Sequence, residues 1–145
     1  MRAWMRPAFY AFWVLFMAVE LLGAFASNDP LIRLACRITI PTVLSALILA
    51  PRLPSGLLRR LCVGVWLFAV PTFVLLIVTN LSFGGGALNG RIEDGTCYLK
   101  EHGTETPAAC RVYYTIAVLE MIVFAACPAG LVLAFEDASR RSSPS

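Results

Sequence analysis

The chain has 145 residues, of which 59% are apolar and only 14% charged, against roughly 45–50% and about 25% in soluble domains. A soluble fold this small would leave much of that surface in water, so a soluble enzyme, a disordered tail and a nucleic-acid binder are excluded. The net charge of +3 comes from eleven scattered Arg and one Lys, without the clustered patch that nucleic acid requires.

Four apolar stretches are long enough to cross a bilayer, which takes about 20 helical residues. They predict an all-α membrane protein, one integral membrane domain over 1–145, with spans at about 7–26, 30–50, 61–81 and 112–135. The first is broken only by Glu20. It also carries the marks of a secretory signal peptide: Arg2 and Arg6, an apolar run over 8–19, then Ala24-Phe25-Ala26. Glu20, which interrupts the apolar stretch just after that run, favours an uncleaved span. Ser27-Asn28-Asp29 forms the turn into the second span, whose Pro30 suits a helix start. The second span is the most polar, with Arg33, Arg37 and Pro41. A proline-rich turn over 51–56 leads to the third span, kinked at Pro71, and Pro128 interrupts the fourth.

Seven basic residues (Arg2, Arg6, Arg52, Arg59, Arg60, Arg140 and Arg141) fall on one side of a four-span arrangement, and five (Arg33, Arg37, Arg91, Lys100 and Arg111) on or toward the other. The positive-inside rule then puts both termini, including a short tail over 136–145, in the cytoplasm. Trp4, Tyr10, Tyr113 and Tyr114 sit near span ends, where aromatic anchors belong. The Arg-for-Lys bias with abundant Ala, Leu and Gly suggests a GC-rich bacterial genome, and the expected location is a bacterial inner membrane.

The segment 82–111 is the one substantial polar loop and falls outside the cytoplasm. Gly84-Gly85-Gly86 gives it a flexible start. Residues 91–99 read as a β-hairpin turning at Asp94-Gly95, because a two-residue turn needs positive φ at both central positions. Thr106-Pro107 reads as the start of the fourth helix. Of five cysteines, Cys36, Cys62 and Cys127 lie within spans, while Cys97 and Cys110 share the oxidising side and pair as a structural disulfide. Helix count and an outer cysteine pair resemble the four-helix DsbB and vitamin K epoxide reductase families, which implies a thiol–disulfide redox function. The CxxC spacing that tunes a reactive thiolate does not occur here. His102, the single histidine, is a solvated loop residue, since a metal site wants several ligands at fixed spacing. No motif implies a cofactor.

The informative residues are charges at membrane depth. Glu20, Arg37 and Glu120 fall at similar heights, roughly 4–6 Å outward of the bilayer centre at ~1.5 Å per residue, with Arg33 one turn beyond Arg37. Each would cost at least ~2.5 kcal/mol facing lipid, so they are expected to face inward and pair. The expected function is binding without catalysis, as an accessory, assembly or immunity-type protein. Its partners are the bilayer and either another membrane protein or further copies of itself. The alternative is a small proton- or ion-coupled transporter or channel subunit using Glu20 and Glu120, and the third is the redox protein.

Overall fold

The computed structural model describes residues 5–26, 30–101 and 103–142, without the side chains at 6, 20, 21, 23–26, 30 and 89. Helices α1 (Met5–Ala26), α2 (Pro30–Leu49), α3 (Ser55–Phe83) and α4 (Cys110–Arg141) enclose strands β1 (Gly86–Glu93), β2 (Thr96–Glu101) and β3 (Thr104–Ala108) in chain order. Three stretches are long and apolar enough to cross a membrane: Leu31–Arg52, Ser55–Phe83 and Cys110–Arg141. In α1 the corresponding apolar stretch is shorter, Pro7–Val19. The turn over 27–29, the residues Arg2 and Trp4 and the loop residue His102 lie outside the described residues.

Helix α4 is the centre of the bundle. Over half of its apolar window (56%) is buried, against 11% for α3, so α3 turns most of its apolar surface outward. Gly130 permits the close approach of these two helices, since a Cβ there would stand 3.1 Å from Val65. Small residues serve this purpose where helices pack without a hydrophobic driving force. One core cluster joins Trp13 and Met17 of α1 to Val43, Leu47, Leu58 and Val132. The other joins Leu76, Ile116 and Met121 to Ala87, Cys97 and Leu99 of the sheet. Pro41, Pro71 and Pro128 all lie inside continuous helices.

The sheet is antiparallel, in the order β1-β2-β3. It is larger than the expected hairpin, and its third strand corrects the expected helix start. Thr106 and Pro107 pair with Leu99 and Tyr98, and α4 begins only at Cys110. Pro107 is tolerated because β3 is an edge strand, where a missing N–H breaks no ladder on the open side. Asp94 and Gly95 make the anticipated turn, with φ of 48° and 77°. At the other end of α4 the expected tail is helical through Arg141. Tyr113 is also corrected: it is buried in the core beneath the sheet, while Tyr114 is exposed.

The glycine run after α3 is a packed junction. Gly84 ends the helix in the left-handed region, at φ 78°, with its N–H on the Asn80 carbonyl at 2.9 Å. Gly85 (φ 137°) lies so close to β2 that a Cβ would come within 2.6 Å of the Lys100 carbonyl carbon. At Gly86 a Cβ would overlap a carboxylate oxygen of Glu120.

Candidate functional site

The junction of sheet and bundle is organised by Glu120, 7% exposed on α4. Its Oε2 accepts the Leu88 N–H at 2.8 Å and the Ala87 N–H at 3.1 Å. Both amides are available because β1 bulges there. Between the pairs Gly86↔Lys100 and Arg91↔Tyr98, four residues of β1 (87–90) face the single Leu99 of β2. Released amides need an acceptor when buried, and an ionised carboxylate makes the stronger, charge-assisted bond. The side chain of Asn80, on the last turn of α3, lies beside the same carboxylate, with its Oδ1 buried and without a partner among the described residues. Gly90 completes the bulge, since a Cβ there would overlap the Tyr98 carbonyl and stand 3.0 Å from the Tyr113 ring.

Above this contact the Cys97–Cys110 disulfide, with Cα atoms 5.2 Å apart, ties β2 to the first residue of α4. The sheet is thus fixed to one helix at two heights. Arg91 holds the exposed side together, 3.0 Å from Glu105 and 3.1 Å from Glu93.

Beside Glu120 lies a cavity of about 300 Å³ lined by Phe16, Ile32, Ala35, Cys36, Thr39, Leu88, Glu120 and Phe124. Thus α1, α2, α4 and β1 all contribute to it. Thr39 is 4% exposed.

Of the membrane-depth charges expected to cluster, the structure gives Glu120 strand amides as partners rather than Arg37. Arg37 lies on an exposed face of α2 and makes no ion pair among the described residues. Arg33, also exposed, has a partner. The Glu20 side chain lies outside the described residues.

A second polar junction, at the opposite end of α4, was not anticipated from sequence. Glu136 is 1% exposed; it accepts the Tyr10 hydroxyl at 3.1 Å and Arg140 Nε at 3.1 Å. The same guanidinium donates to the Leu53 carbonyl at 2.6 Å and the Ala50 carbonyl at 2.8 Å. These two carbonyls belong to the 3-10 turn Ala50–Arg52 and the residue after it, between α2 and α3, so one Arg ties α4 to that connection. The spacing of Glu136 and Arg140, one helical turn, was the available signal. No family model, curated protein or solved structure matches the chain.

Proposed function

We propose that this chain is a multi-pass protein of the bacterial inner membrane that acts by binding, without catalysis, as an accessory, assembly or immunity-type protein. In this reading α1 joins α2, α3 and α4 as a fourth span, both termini are cytoplasmic, and the sheet is the extracytoplasmic head. The observation that carries it is the double attachment of the sheet to α4, through Cys97–Cys110 and through Glu120 to Ala87 and Leu88. A head held this way presents a preformed surface, which lowers the ordering cost of binding a partner. A disulfide also fits an oxidising compartment.

The cavity beside Glu120 favours one second reading, ion-coupled transport, because a carboxylate at membrane depth commonly lies on an ion path. Proteoliposomes containing the full chain separate the two under an imposed pH gradient and potential. The binding reading predicts background flux from wild type and from Glu120→Gln alike. Flux above background that Glu120→Gln abolishes would replace it with transport.

A further inference from the structure

We propose that the cavity beside Glu120 binds a small organic ammonium ion, with the carboxylate as counter-charge and the Thr39 hydroxyl as a second acceptor. The inference names a ligand class for the site and rests on the binding reading above.

Thr39 supplies the first observation. The other threonines within these helices bond the carbonyl four residues earlier: Thr42 bonds Ile38 at 2.7 Å, Thr72 bonds Phe68 at 2.8 Å and Thr115 bonds Arg111 at 2.8 Å, and Thr79 bonds Leu75 likewise. This is the usual arrangement in apolar surroundings. Thr39 makes no such bond among the described residues, yet it is buried and lines the cavity. Its hydroxyl is therefore left to whatever occupies that space.

Glu120 supplies the second. Buried charges are normally paired, but no basic group pairs with this carboxylate among the described residues. Both strand amides fall on Oε2 and the Asn80 side chain also bonds the carboxylate; with about four lone-pair positions, acceptor capacity remains. The amides orient the charge without neutralising it.

The walls decide the kind of cation. A divalent metal wants six or more oxygens, whereas among the described residues the side-chain oxygens lining the cavity are those of Glu120 and Thr39. An ammonium needs just two or three acceptors. Phe16 and Phe124 are among the lining residues, and aromatic rings attract cations, while Ile32, Ala35 and Leu88 suit a short alkyl chain. A volume of about 300 Å³ admits such a molecule. An anion would meet the carboxylate, and a neutral guest would leave the charge unbalanced.

The test uses the full chain in a neutral detergent, with its thermal midpoint followed during titration with n-butylammonium chloride. The control is 1-butanol, of the same chain length and uncharged. The proposal predicts a saturable rise with the ammonium and none with the alcohol. Thr39→Val keeps the side-chain shape and removes the hydroxyl. It should weaken the apparent affinity about fivefold, the order of one neutral hydrogen bond, and Thr39→Ser should restore it. Glu120→Gln should abolish the saturable rise. Should that variant fail to fold, the Thr39 pair still decides the matter. Equal rises with ammonium and alcohol, or Thr39→Val titrating like wild type, would overturn the site. No rise in wild type would reject the ligand class and leave the binding reading to the flux measurement.

Discussion

The Glu120 carboxylate of α4 accepts the Leu88 amide of β1 at 2.8 Å, across 32 residues of sequence. A residue expected to neutralise an arginine within the bundle instead holds down a strand. The exchange is physically sound. Amides freed by the bulge would be costly if left bare, and a carboxylate bonded to neutral donors at the edge of the sheet needs no buried counter-ion for its geometry to be fixed.

A side chain at Gly86 should displace the Glu120 carboxylate, which a Cβ would overlap, from the strand amides it accepts. Gly86→Ala is expected to destabilise the protein by about 1–3 kcal/mol, the usual cost of overpacking. Combined with Glu120→Ala, the two effects should be strongly non-additive, as for residues in contact. Unfolding of the four proteins of this cycle in detergent measures the coupling, and simple additivity would show that the two residues do not meet.

Cys97 and Cys110 should resist alkylation in denaturant until a reductant is added, while Cys36, Cys62 and Cys127 label without one. Closing a loop of 13 residues removes about 3 kcal/mol of chain entropy from the opened state. The Cys97→Ser/Cys110→Ser variant should therefore exchange its β2 and β3 amides faster. The helices should keep their protection, since their backbone bonds are internal.

Arg140→Ala should be among the most damaging single changes at the far end of α4. It breaks the ion pair with Glu136 and removes the donors to Ala50 and Leu53, where a hydrogen bond to a charged group is worth about 1.5–3 kcal/mol. Arg140→Lys should recover little, since an ammonium lacks the planar fork that reaches several acceptors at once. Arg140→Ala/Glu136→Leu should be milder than Arg140→Ala alone. Denaturation midpoints rank the variants, and equal values for Arg140→Ala and Arg140→Lys would dismiss the fork argument.

Signals carried by neighbouring residues were legible in the sequence. Asp94-Gly95 specifies its turn through local backbone preferences, and the cysteine pair follows from compartment and parity. Hydropathy located the apolar helices but ended α4 early, because Glu136, Asp137, Arg140 and Arg141 look like solvent-facing charge. Two of them are drawn inward by partners 87 to 126 residues away. Thr106-Pro107 misled for a related reason. The same pair that opens a helix also suits an edge strand, and only β2, paired through Tyr98 and Leu99, decides between them. Depth along a helix placed Glu120 near the sheet end, but depth carries no azimuth, and the bulge that supplies its donors has no local signature beyond Gly86 and Gly90.

Reporter fusions at residues 58, 94 and 142 test the orientation. The account predicts cytoplasmic signals at the first and last and an extracytoplasmic signal in the Asp94-Gly95 turn. An outer signal at 142 would reverse the direction or remove a span.

The most direct test of the clamp is amide hydrogen exchange at Ala87 and Leu88 in the full chain, wild type against Glu120→Ala. These amides lie in the bulge, outside the regular register of β1 with β2, so their protection reports the carboxylate. Slow exchange at both residues in wild type is expected. In Glu120→Ala that protection should be lost, while the amides around Arg91 and Tyr98 remain slow. Rapid exchange at Ala87 and Leu88 in wild type, or protection unchanged without the carboxylate, would contradict a head fixed to α4 by Glu120.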